Sequence, residues 1–538
     1  SDGDIAWQLK GAAERHLAGA VPLTEEWIAS YERRRSTRQI VITDDQPVVV
    51  SADGERIEPN AMQVEALSAL DEVVQAGGRR ALIISATGTG KTILAALAAR
   101  QFAAKRTLFI VHREQILRSA AAAFQRVLGL DESQVGFFVG SQRDTNARVV
   151  FATIQSLSRR ENLAELSPVH FDFVIVDEVH RSGAESYKRV LNYFRPEFTL
   201  GLTATPERSD GFNIYELFDY HVPYEIRLEG ALENHMLVPF DYYGITDYET
   251  ARGSIGDLSK LPDLLAPERV EYVVQSLRDY SFAQGTKGLI FCSRNEEAAG
   301  LAESLNAYEV HGRRLRTAAI SGATPVDERL RVVEKLEAGD LDYILTVDIF
   351  NEGIDIPAVN VVVFLRSTES SIIFTQQLGR GLRKATGKKS LRVIDFIGNY
   401  ANNYLIPIAL TGDRSRNPDR IREKVIKTRR KPAAGNSSIS FDEVSTARIV
   451  ESLRKARLAD RRAKREEILN LQARLGKVPK LADFETHEAM DPVTLAATDS
   501  KARNYWTLLQ QLKIVETGPS QEENAFLAML TVELLNGK

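Results

Sequence analysis

The stretch from Ala81 to Ala104 constrains this chain most. An apolar run, ALIIS, leads straight into SATGTGKT (Ser85 to Thr92) and then into the helical ILAALAARQFAA. A buried strand that ends in glycines and restarts as a helix presents a row of backbone N–H groups to one point, and the helix N-terminus adds partial positive charge there. Such a turn cradles phosphate. Thr87, Gly88, Thr89 and Gly90 are placed to wrap the phosphates, Lys91 to meet the β- and γ-groups, and Thr92 to hold Mg²⁺. A plain glycine-rich turn with a surface lysine is the bland alternative.

A second motif argues against that alternative. Magnesium beside a threonine needs a further oxygen anchor, which a carboxylate at the end of a buried strand supplies. FVIVDEVH (Phe173 to His180) has this form. Asp177 is expected to orient the ion and its waters, and Glu178 to polarise the attacking water as general base. Together the two motifs predict Mg²⁺-dependent nucleotide hydrolysis.

The chain has 538 residues, about three times the commonest domain size, with 43% hydrophobic and 26% charged residues. Several cores are implied, and wholesale disorder is excluded. Short apolar runs alternate with amphipathic stretches from Arg79, lapse over Asp241 to Gln284, and resume with KGLIFC, RTAAIS, DYILTVD, VNVVVFLR and SLRVIDF. That pattern predicts two parallel α/β sheets flanked by helices. After Phe396 the strands are expected to stop. PAAGNSSIS (Pro432 to Ser440) has the composition of a linker, and the tail beyond it carries apolar residues at helical spacing. The expected units are a connector or accessory segment at 1–55, α/β domains at 56–228 and 229–412, and a basic, mainly helical domain at 413–538.

Cys292 is the single cysteine, so an intrachain disulfide and a multi-cysteine zinc site are excluded. No apolar run is long enough for a membrane span. The chain therefore reads as cytoplasmic. It opens on SDGDI without an initiator methionine, as an excised fragment would. The net charge of −4 precludes nucleic-acid binding through bulk charge. Two local blocks differ: Asp413 to Lys431 carries nine basic against three acidic residues, and Arg448 to Arg465 eight against two. Each is either a solvated helix face or a phosphate contact.

From about Glu58 to Asn399 the chain resembles the superfamily-two helicases. Gln63 in EPNAMQVEAL looks like the adenine-reading glutamine, Ser85 replaces the usual first glycine as in other motors of this type, and DEVH is similar to the DEAH box. TAT (Thr203 to Thr205) resembles motif III, FCSRN (Phe291 to Asn295) motif IV, VDIFNEGIDIP (Val347 to Pro357) motif V and QQLGRGLR (Gln376 to Arg383) motif VI. The resemblance implies two tandem RecA-like domains. Arg380 and Arg383, expected one helical turn apart, would act as arginine fingers across the cleft, which must close before hydrolysis is fast. Gly353 and Asp355 would line the same cleft, while His180, Thr203, Thr205 and Gln376 would couple it to the bound strand. The matching strand contacts are Arg113, Thr153 and Gln155 in the first domain and Ser293, Arg294 and Thr346 in the second.

HREQIL, TIQSL, LGLTATPERSDG and FNEGIDIP bring the resemblance closer to the type III restriction motor and XPB-like branch. The tail, through FDEVSTARIVESL, ARLGKVPKLADF and LTVELLNGK, resembles a domain of unknown function found with this motor and a phospholipase-D-like nuclease. That nuclease needs His-x-Lys, and none of the eight histidines has a lysine two positions on. The branch implies DNA rather than RNA, as does the absence of the DEAD signature. Two function classes stay open: a DNA translocase or helicase in repair, restriction or anti-phage defence, and a DNA-stimulated ATPase switch that regulates a partner nuclease. An RNA helicase is a third.

Overall fold

The computed structural model describes residues 59–179, 184–206, 213–250, 253–256, 259–347, 356–367, 371–398, 400, 402–411, 413, 415–428, 437–456, 458, 460–487, 489–497 and 501–531. The chain divides at Ile57, so the expected connector lies outside them.

The first sheet is built from β1 (Arg80–Ser85), β2 (Thr107–Val111), β3 (Val135–Val139), β4 (Gln142–Arg143), β5 (Val149–Thr153), β6 (Phe173–Asp177), β7 (Phe198–Thr203) and β8 (Tyr224–Ile226). Its order is β4-β3-β5-β2-β6-β7-β1-β8, parallel except for the β3–β4 pair. Strands β2, β5, β6 and β7 are buried along their whole length, which is why they read as continuous apolar runs rather than alternating ones.

The second sheet uses β9 (Phe240–Thr246), β10 (Gly288–Phe291), β11 (Thr317–Ala319), β12 (Tyr343–Thr346), β13 (Val361–Phe364), β14 (Leu391–Ile397) and β15 (Ser438–Phe441). All its pairings are parallel, in the order β11-β12-β10-β13-β14-β9-β15. Two tandem parallel α/β domains with a mainly helical C-terminal region are therefore present, as the apolar runs imply.

Two expectations need correction. The alternation does not lapse at Asp241: β9 lies inside the sheet, paired over seven residues with β14. Asp241, Tyr243 and Thr246 are only half-buried, and this mixed polarity hides the strand. Nor do strands end at Phe396, since the last residues of the expected linker form β15. Ile439 and Phe441 point inward while Ser438 and Ser440 point out, a period of two too short to detect in sequence. Asp442 then caps the helix Glu443–Lys455 and binds Thr246 N and Oγ1 at 2.5 and 2.8 Å. Beyond it, the C-terminal helices enclose their own core around Ile468, Phe484, Met490 and Leu508.

Candidate active site and nucleic-acid edge

Register places the phosphate loop. Ile84 at the end of β1 lies beside Thr203, and Leu202 lies beside Asp177, so the loop, TAT and DEVH all leave the same edge of the sheet. Carboxyl ends of parallel strands are where such sheets bind ligands. Gly88 and Gly90 have φ of 92° and 93°, which side-chain-bearing residues adopt only with strain. Lys91 is buried, its Nζ donating to the Ser85 and Ala86 carbonyls at 3.0 and 3.4 Å. Ser85 does more than replace a glycine, for its hydroxyl shares a 2.6 Å hydrogen bond with Thr89, which donates in turn to Ala86.

Gln63 is buried and braces this loop, donating to the Gly90 carbonyl at 3.2 Å. Its other amide atom and Asn60 form a reciprocal cap on the helix Ala61–Gln75. The motif marks Gln63 for base recognition and carries no sign of this bracing role.

Asp177 is nearly sealed from solvent. Burial, then the neighbouring Glu178, push its carboxyl up to about 7, while Lys91 and Arg383 pull the other way. Glu178 has a φ of 51°, an uncommon backbone for a glutamate, and its N–H donates to Asp177 Oδ1 at 2.9 Å. A buried carboxylate and the half-buried Thr92 form a hard-oxygen donor pair that fits Mg²⁺ bound with phosphates and water. Among the described residues no cluster of three or more acidic, histidine or cysteine side chains is placed to hold a metal alone.

The second domain meets this loop directly. A Cβ built on Gly88 would lie 3.0 Å from the Gly379 carbonyl and 3.0 Å from Arg383 Cγ, and one on Gly379 3.0 Å from Thr87 Cβ. The helix Ser371–Gly381 carries Arg380 in its last turn and stops before Arg383, which sits in the following turn rather than one helical turn along. Both arginines are partly buried, and Arg383 acts electrostatically on Asp177. Thr203 is buried and its hydroxyl accepts the Thr205 N–H at 3.2 Å. Gly353, Asp355 and His180 lie outside the described residues, as does the side chain of Gln376.

The expected strand contacts share these sheet edges but occupy other strands. Val111 pairs with Thr153, which brings Arg113 beside the Thr153–Gln155 turn. Phe291 pairs with Thr346, which brings Ser293 and Arg294 beside it. Arg113, Gln155 and Ser293 are exposed. Thr153 and Thr346 are buried, and the Thr153 hydroxyl is occupied capping the helix Ile154–Leu157. Arg294 is half-buried and donates to Ser259 O at 2.9 Å. Ser293 donates both its N–H and its hydroxyl to Glu297, at 2.8 and 2.7 Å, and Glu297 is held by the fully buried Arg269.

Residues 56–208 match the family model of the type III restriction enzyme res subunit, and residues 268–385 that of the helicase conserved C-terminal domain. The two α/β halves are a superfamily-two helicase motor. They make the chain an ATP-hydrolysing enzyme. Residues 465–538 match a domain of unknown function, DUF8090. A Saccharomyces cerevisiae protein named for ATP-dependent helicase activity, IRC3, is 24% identical over 376 residues, 66% of this chain and 53% of that protein. The DNA 3'-5' translocase XPB2 of Sulfurisphaera tokodaii is 24% identical over 377 residues, 64% of this chain and 82% of its own length. The chain thus spans about half the length of IRC3. Among solved structures, the type ISP restriction-modification enzyme LlaBIII bound to DNA aligns with a TM-score of 0.54 at 15% identity, over 89% of this chain and 41% of that one. No helix among the described residues is long and apolar enough to cross a membrane.

Proposed function

We propose that this motor converts ATP hydrolysis into movement along DNA, in restriction, repair or anti-phage defence, alongside a nuclease or defence partner. One observation carries the reading: the sheet edge that gives β1, β6 and β7 to the phosphate site gives β2 and β5 to Arg113 and Gln155. The second domain's edge offers Ser293 and Arg294 in like manner. A strand laid over these positions touches both domains, so its binding and closure of the ATP cleft favour each other.

The restriction family model and the DNA-named relatives support DNA as the track. Part of the basic tail has other work. Lys464 is buried and donates to Leu495 O at 2.9 Å, Arg448 donates to Ile397 O at 2.7 Å, and Arg416 pairs with Glu467 at 3.2 Å. Lys424 pairs with the buried Asp413 at 2.9 Å, whereas Arg420 and Arg422 face out along the helix Pro418–Thr428 and form the tail's contribution to the DNA path. The decisive experiment measures ATPase rates with single-stranded DNA, duplex DNA and RNA beside strand displacement and translocation. Stimulation by DNA with movement supports the proposal. DNA stimulation without movement indicates a switch, and preferential stimulation by RNA overturns the DNA assignment.

A further inference from the structure

The C-terminal segment is attached to both halves of the motor, and it meets the first half at the strand that braces the phosphate loop. On the second domain it is held by β15, which lengthens the sheet, and by Asp442 and Arg448. On the first domain the helix Arg461–Leu475 packs Ala473 against the hydrophobic core, and its capping Gly476 lies against the Tyr220 ring. Between these two, Arg474 pairs with Glu225 at 2.5 Å.

Glu225 stands in β8, in register with Ile84. The next residue, Ile226, accepts the N–H of Ala86 at 2.9 Å, inside the phosphate loop. Arg227 holds the other Glu225 oxygen at 2.6 Å, so the carboxylate is clamped between two guanidiniums. Each member of this cluster is about one-fifth to one-quarter exposed, which weakens screening relative to a surface pair. From β15 to Arg474 the chain therefore runs from the second domain to the edge of the nucleotide site.

We propose that Arg474 is a positioning residue for ATP hydrolysis. By tying β8 to a segment rooted in the second domain, it keeps the phosphate loop within reach of Arg380 and Arg383 when no strand bridges the domains. The C-terminal domain is thereby part of the motor's closing device. This goes beyond the proposed DNA track and does not depend on which nucleic acid is used.

The test measures kcat, KM for ATP and ADP affinity of Arg474→Ala and Glu225→Gln in the full chain, without and with saturating nucleic acid. The expected result is a kcat without nucleic acid lower by about three- to fivefold, the scale of a partly screened ion pair. ADP, held by the first domain, should bind as before. Saturating strand should restore most of the rate, because it bridges the domains itself. Arg474→Lys, which keeps the charge opposite Glu225, should retain much of the activity. Unchanged kcat with only a lowered melting temperature, or a loss shared equally with ADP affinity, would overturn the inference, as would an Arg474→Lys variant no more active than Arg474→Ala. If no nucleic acid stimulates the enzyme, the DNA reading fails, and the strand-free kcat against ADP affinity still decides the role of Arg474.

Discussion

Gln63 Nε2 donates to the Gly90 carbonyl at 3.2 Å while Gln63 Oε1 accepts the Asn60 N–H at 2.9 Å. One side chain thus links a helix start to the last glycine of the phosphate loop. A Cβ on Gly90 would come within 2.8 Å of that nitrogen, so the fit is tight.

Replacing Gln63 by alanine is expected to raise KM for ATP several-fold and to lower stability by about 1 kcal/mol, the usual worth of a cap. Steady-state kinetics with ATP and GTP separate its two roles. Equal losses for both nucleotides indicate loop bracing, and a loss confined to ATP indicates base reading.

Lys91→Ala and Glu178→Gln should each abolish hydrolysis, for different reasons. Lysine neutralises phosphate, whereas the Glu178 carboxylate acts on water, so the glutamine variant should still bind ATP and hold it. Nucleotide binding measured beside turnover checks this, and wild-type rates in either variant would refute the assignment.

Arg383→Ala is expected to lower kcat by about 10³-fold with little change in ATP affinity, because the guanidinium meets charge that develops in the transition state. Parallel losses in both quantities would mark a ground-state contact instead.

Stability should also depend on pH through Asp395, whose carboxyl burial raises to about 7 although the Tyr242 hydroxyl donates to it at 2.5 Å. The folded chain then holds a proton there that the unfolded chain has released. This contribution is full below the ordinary carboxylate range and is lost as pH rises towards 7, at up to about 1.4 kcal/mol per pH unit. Denaturant titrations between pH 5 and pH 8 should show a flatter profile for Asp395→Asn than for the parent chain.

Neutralising Arg420 and Arg422 together should weaken duplex binding to all sequences alike. The salt dependence should flatten by roughly 0.9 in log–log slope for each phosphate that the variant no longer neutralises. An unchanged slope in a folded variant would confine the DNA path to the motor edges.

The nucleotide half of the site is legible in the sequence because its chemistry is local. A strand, glycines, a lysine and a threonine within Ala81 to Thr92 make a phosphate turn whatever surrounds them, and FVIVDE announces its carboxylates the same way. Continuous apolar runs likewise declare the buried parallel strands. Strands β9 and β15 stay hidden because half-buried positions and a four-residue length leave too little periodicity to read. What only the tertiary structure decided are contacts between residues far apart in the chain: Gly88 against Gly379, Gln63 beneath Gly90, and Arg474 on Glu225. An arginine in a basic helix looks the same in sequence whether it faces solvent, a phosphate or a carboxylate 249 residues away. Its partner is fixed by how sheets and helices pack, because Coulomb energy depends on distance and burial in space.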